Sequence, residues 1–418
     1  MTDATTGARS ATVQPGALDD AGLRQVVTVL STVQIVSWGI LYYAFAALQA
    51  SITTDTGWSS VTVAGAFSLA LFVSGGVGIW VGGHIDEFGP RAVMTAASIV
   101  AIPGVATVAL AAHLAVFYLG WVLVGVAMAG TLYPPAFTAL TRWGGSRRVR
   151  ALTTLTLVAG LASTVFAPLA SGLDDWLGWR GAYLVLLAVL VLITVPLHWW
   201  GLDHPWQPVH EPALGGVHDG RGQVRTIARS TPFLLLTGAN TLTTLAEFAV
   251  LINLVPMLVE QGMTRNLAAV ALGLGGVGQV IGRLGYARFA AATTVTVRTV
   301  SVIAAVAIAT AALALAPPSD AVLIALGMVL GLARGIYTLI QATAITDRWG
   351  PAAYGSLNGI LTAPALVAAA SAPFVGAVLA DLLGGYSAAF LALAAGAAVA
   401  AALAIGAAPR ASRTSGFL

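Results

Sequence analysis

Roughly twelve apolar stretches of about 20 to 27 residues, parted by short polar breaks, fill most of this chain. Each is long enough to cross a hydrocarbon layer about 30 Å thick as a helix. None alternates polar and apolar residues as a membrane β-strand would. With 58% hydrophobic and 8% charged residues among 418, a soluble globule is excluded, since that would carry about a quarter charged residues. The chain reads as an all-α polytopic membrane protein.

The basic residues fix an orientation. All nineteen are Arg, and fifteen fall at one set of alternate breaks. These are Arg9 and Arg24, then Arg91, then Arg142, Arg147, Arg148 and Arg150, then Arg221, Arg225 and Arg229, then Arg288 and Arg298, then Arg348, then Arg410 and Arg413. The opposite breaks hold Arg180 and Arg265. Positive charge collects in the short loops on the cytoplasmic side, so both termini are expected in the cytoplasm of a cell membrane. A net charge of +3 spread over membrane-flanking loops gives no basic face for nucleic acid. With no cysteine, disulfides, thiolate chemistry and Cys-based metal sites drop out. The polar first 23 residues, with Asp3, Asp19 and Asp20, have no apolar core before a cleavage site and do not read as a signal peptide.

The expected spans are 26–50, 59–83, 92–112, 115–141, 151–172 and 181–200, then 232–258, 266–287, 299–316, 321–345, 353–380 and 385–408. Between the sixth and seventh, residues 201–231 form a Pro/Gly-rich polar linker with His204, Pro205, Pro208, His210 and Gly215. The expected organisation is thus a tail at 1–25, six helices over 26–200, the linker, six helices over 232–408 and a tail at 409–418. Six plus six is the layout of a duplicated transporter whose halves are related by an axis along the membrane normal.

The break between helices 2 and 3 reads Gly82-Gly-His-Ile-Asp86-Glu-Phe-Gly89-Pro-Arg91. Gly82, Asp86, Gly89 and Arg91 match the loop signature of the major facilitator superfamily, which the chain resembles along nearly its whole length. The family usually has a basic residue after the Asp, where this chain has Glu87. Glycines there permit close helix approach, and the Asp suits a helix N-terminus or an Arg as a cytoplasmic latch. The counterpart in the second half, Gly282 to Arg288, lacks the Asp. Finer features resemble the monocarboxylate and oxalate/formate-like branch. They are Tyr42-Tyr43-Ala-Phe45, Gly57-Trp58-Ser59, the basic opening of helix 5 from Arg147 to Leu152 running to Ala159-Gly160, and Gly282-Arg283 on helix 8. The acidic Gly-rich signature of animal monocarboxylate carriers on helix 1 is missing. The resemblance implies twelve helices in two pseudo-symmetric halves, with helices 1, 4, 7 and 10 lining a central cavity.

Three charges fall inside the expected spans: Glu247 on helix 7, Arg283 on helix 8 and Arg334 on helix 10. Charge in hydrocarbon is costly, so these are the first candidates for function. Helical spacing gives each a polar stripe: Asn240, Thr244 and Glu247; Gln279 and Arg283; Arg334, Tyr337 and Gln341. Arginine stays charged and its planar fork fits a carboxylate. The competing reading is a fixed ion pair between Glu247 and one arginine. A carboxyl in that place is pulled between desolvation and a neighbouring guanidinium, so proton coupling at Glu247 and a plain structural pairing both stay open. On the first half Gln34, Trp38 and Tyr42 share a face by four-residue spacing, and Tyr133 precedes Pro134 and Pro135, which free backbone carbonyls. Ordinary packing is the competing reading for each.

Two arginines against one glutamate leave a positive cavity, which favours an anionic substrate. The expected function is secondary transport of a small organic anion, a monocarboxylate, by alternating access, with a proton or by exchange. An efflux carrier of drugs or amphipathic compounds is the alternative. No nucleotide loop, metal-spaced cluster or activated nucleophile points to an enzyme, and no cofactor is expected. A monomer in the bilayer is expected.

Overall fold

The computed structural model describes residues 16–208 and 220–408. Arg9, Arg410 and Arg413, and linker residues such as His210 and Gly215, lie outside the described residues.

Among the described residues twelve helical passes form. Helix 1 covers Asp20–Thr56 and contains one π-helical turn, Gly39–Tyr43. Helix 2 is Ser60–Phe88 and helix 3 Pro90–Ala109. The run Leu114–Gly201 folds into three passes. Helix 4 joins Leu114–Thr131 to Tyr133–Gly144 across an extended Leu132, because Pro134 and Pro135 cannot donate to the preceding turn. Helix 5 starts with Arg148–Ala159, breaks at Gly160 and Leu161, and resumes at Ala162. Gly178, at φ 69°, ends it, and helix 6 runs on to Gly201. The second half comprises helix 7 (Thr231–Glu260), helix 8 (Arg265–Ala292), helix 9 (Val295–Leu315), helix 10 (Asp320–Thr343), helix 11 (Tyr354–Leu383) and helix 12 (Tyr386–Gly406).

Helices overrun the apolar stretches that announce them, since polar caps extend them. Helix 1 starts at Asp20, capped by the Asp19 side chain, within the stretch expected as tail. Arg298, expected in a break, sits in the first turn of helix 9 and is 8% exposed. It is therefore a buried charge alongside Asp86, Glu247 and Arg283, and it is neutralised by an ion pair with Asp347.

Three large apolar cores organise the interior of the described residues. One, at the arginine-rich end, joins both halves: Leu30 of helix 1, Leu140 of helix 4, Leu236 of helix 7 and Leu357 of helix 11 belong to it. Toward the other end the core divides. One cluster collects residues from helices 1 to 6 plus Ala370 of helix 11, and another is confined to the second half. The halves thus share one core at the arginine-rich end and have a core each beyond it, with Ala370 of helix 11 still packed into that of the first half.

Glycines set how closely the helices approach. Helix 2 lies on helix 11 with backbone against backbone: a methyl group at Gly82 would overlap the carbonyl oxygen of Gly355, and one at Gly359 would stand 2.7 Å from that of Gly78. Helix 8 packs in the same way on helix 10, where Gly331 and Gly335 meet the backbone at Gly275 and Gln279.

Candidate functional site

The middle of the molecule brings together helices 1, 4, 5, 7, 8 and 10. Helix 8 contributes Arg283, which is 5% exposed. Its Nη1 donates to the carbonyl oxygen of Thr156 on helix 5, 2.6 Å away and in the other half. Thr156 and Arg283 lie roughly 12 to 14 Å inside the arginine-rich ends of their helices, at about 1.5 Å per residue. The break in helix 5 makes room for this contact: a methyl group at Gly160 would stand 2.7 Å from Arg283 Nη1. The Nε of Arg283 is buried without a partner.

Arg334 is half-buried and its Nε is likewise buried and unpartnered. Glu247, 7% exposed, has a buried Oε1 with no hydrogen bond. Arg334 lies within electrostatic reach of Glu247. Among the described residues, however, the ion pairs join Arg91 to Asp203, Arg142 to Asp86, Arg147 to Asp20, Arg148 and Arg298 to Asp347, and Arg180 to Asp55. The fixed ion pair between Glu247 and an arginine is absent from these. Arg283 and Arg334 act on each other as like charges. Two guanidiniums in an apolar interior with no carboxylate bonded to them are an arrangement that a bound anion would stabilise.

The remaining polar candidates divide. Asn240 Oδ1 accepts from the Tyr337 hydroxyl at 3.0 Å and from Gln341 Nε2 at 2.8 Å. Gln341 Nε2 also reaches Thr244 Oγ1 at 3.3 Å, and Asn240 Nδ2 donates to the Leu361 carbonyl at 3.3 Å. This network ties helices 7, 10 and 11 together, so its side chains are satisfied by one another. Gln279 is half-buried, with its backbone carbonyl against Gly335.

Helix 1 departs from the expected single face. Gln34 is fully buried and donates to the Thr131 carbonyl at 2.6 Å, the group that Pro135 leaves without its helical partner. Trp38 and Tyr42 are in ring contact at 5.2 Å, and Trp38 also meets Tyr133 of helix 4 at 4.9 Å. Tyr43, absent from the stripe assigned by sequence, joins them at 6.3 Å from Trp38. The π turn accounts for this, because its wider winding brings the residue five positions on over Trp38. Arg334 is within electrostatic reach of Tyr42 and Tyr43, and Arg283 of Tyr43 and Tyr133.

At the arginine-rich end, Asp86 is 3% exposed and crosses to the other half. Its Oδ1 accepts from the N–H of Gly355 at 3.0 Å and its Oδ2 from that of Ser356 at 2.7 Å, both in the first turn of helix 11. Arg142 stands 3.9 Å away. Gly82 allows the close approach, and Gly89, at φ 81°, ends helix 2. Arg91 turns instead to helix 6, stacking on Trp199 and pairing with Asp203.

The profile of the Major Facilitator Superfamily matches residues 30–321. The chain belongs to this superfamily. It is 29% identical over 309 residues to monocarboxylate transporter 13 of Bos taurus, a match covering 73% of this chain and 70% of the relative. The crystal structure of a superfamily transporter, FucP, in the outward conformation superposes with a TM-score of 0.72 at 17% identity, covering 93% of this chain and 99% of that one. The human organic anion transporter MFSD10 (TETRAN) superposes with a TM-score of 0.71 at 16% identity, over 91% and 99%. The chain is therefore a multi-pass membrane transporter with the major facilitator fold, and its substrate is a small molecule rather than one it transforms as an enzyme.

Proposed function

We propose that this transporter moves small monocarboxylates by alternating access, with Arg283 and Arg334 as the groups that hold the carboxylate. The observation that carries this reading is the pair of central guanidiniums, neither bonded to a carboxylate among the described residues. A carboxylate offers each a charge-assisted, bidentate partner that a neutral backbone carbonyl does not. The names of the monocarboxylate and organic anion carriers to which the chain is similar agree with it.

Binding then has a consequence for the fold. Arg283 spends one N–H of Nη1 on Thr156 and keeps its other donors, so a carboxylate gripped by those draws the guanidinium toward itself and loosens the tie between helices 5 and 8. Glu247, an unpartnered acceptor beside Arg334, serves as the proton site: protonated, it leaves Arg334 to the substrate. The arginine-rich side is taken as the cytoplasm of a cell membrane by the positive-inside bias. The described conformation is then closed inward, with both termini cytoplasmic, and Asp86 on helix 11 acts as the inner latch.

Uptake of labelled carboxylates into proteoliposomes, with and without a proton gradient, tests this. Arg283→Gln and Arg334→Gln are expected to lower gradient-stimulated uptake by about ten- to a hundredfold, the loss of one charged hydrogen-bonding partner. Unchanged uptake in both variants, or flux of cationic amphipaths in place of carboxylates, overturns it.

A further inference from the structure

The tyrosines of helices 1 and 4 within electrostatic reach of the two arginines belong to an aromatic group two rings deep. Trp38 centres it, with Tyr42, Tyr43 and Tyr133 around its ring at 5.2, 6.3 and 4.9 Å. A second layer lies behind. Tyr42 meets Phe67 edge-on at 5.1 Å, and Phe67 stacks on Phe45 at 4.5 Å with the planes 4° apart. Phe45 is buried at 5% exposure, whereas Phe67, Trp38, Tyr42, Tyr43 and Tyr133 are half-buried. The front four therefore keep ring surface that the apolar cores do not cover.

Two local distortions build this group. The π turn at Gly39–Tyr43 brings both tyrosines against Trp38, and the proline break in helix 4 presents Tyr133. Such interruptions cost helix stability and recur where a site needs them. In addition, Trp38 Nε1 is a buried donor without a partner, so the group asks for an acceptor as well as for apolar contact.

A two- to three-carbon acid would meet the guanidiniums and leave the rings uncovered. We propose that the preferred substrate is an aryl-bearing monocarboxylate, its ring against Trp38, Tyr42, Tyr43 and Tyr133 and its carboxylate on Arg283 and Arg334. This rests on the anion-carrier reading and narrows it. Ring-on-ring contact adds to simple burial, so an aromatic acid is favoured over a saturated ring of the same size.

Calorimetric titration of the purified full-length transporter with acetate, cyclohexanecarboxylate, benzoate and phenylacetate tests the proposal. Benzoate and phenylacetate are expected to bind at least about tenfold more tightly than acetate, and benzoate severalfold more tightly than cyclohexanecarboxylate. Trp38→Leu is expected to narrow the benzoate-to-acetate ratio to about twofold. Tyr42→Leu gives the same readout if that variant fails to fold, and the wild-type ligand series stands without either. Equal affinity for all four acids overturns the aryl preference and leaves the anion reading intact. No binding by any of them overturns both.

Discussion

At the seam between helices 2 and 11, a carboxylate of the first half, Asp86, rests on two backbone N–H groups of the second. At the seam between helices 5 and 8, a guanidinium of the second half, Arg283, rests on one backbone carbonyl of the first. Both ties bridge the halves, yet they differ in how well the partners match. An anion on a helix N-terminus gains from free N–H groups and the positive end of the helix dipole, so Asp86 is fully served. A guanidinium on a single neutral carbonyl is underserved, and its Nε has no partner at all. The first seam, in the proposed mechanism, is a lock formed without the substrate. In the proposed mechanism the second uses a group that a carboxylate substrate would compete for, so it is the seam a ligand would release.

Damage to the first seam should have the largest effect. Gly82→Leu drives a side chain into the helix 11 backbone at Gly355, and overpacking of this kind costs about 3 kcal/mol. Carboxylate uptake should be lost and thermal unfolding in detergent should come at lower temperature. A wild-type melting point would mean that the two helices do not stay in contact. Asp86→Asn is gentler: it keeps the shape and removes a charge-assisted pairing that contributes about 1.5–3 kcal/mol. Thr138, 1% exposed beside this seam, should then become reactive as Thr138→Cys in the Asp86→Asn background. Continued protection of that thiol would show that glycine packing alone holds the seam.

The two seams were not equally legible in the sequence. The resemblance of Gly82, Asp86, Gly89 and Arg91 to the superfamily's loop signature pointed to the first, with a helix N-terminus or an Arg as the expected partner of Asp86. Helix periodicity likewise found Asn240, Thr244, Tyr337 and Gln341, though it could not say that they would spend their hydrogen bonds on one another. Arg283 was marked by the cost of burying charge, but its partner is a backbone carbonyl, which has no side-chain signature. Tyr43 was missed because a regular 3.6-residue helix turns it away from Tyr42, and nothing in Gly39–Tyr43 announces a π turn. Arg298 was put outside the helix because hydropathy marks where apolar residues stop, not where hydrogen bonding does.

The central claim is that a bound carboxylate draws Arg283 off Thr156. The chain has no cysteine, so a single introduced pair, Thr154→Cys with Ala287→Cys, can carry spin labels across the helix 5 and helix 8 seam at the arginine-rich end. The ligand-free transporter should give one short distance. Saturating benzoate should shift part of the population to a longer one. Gly160→Ala, which pushes the guanidinium off the carbonyl, should do the same without ligand. A distance that neither benzoate nor Gly160→Ala changes would contradict the account.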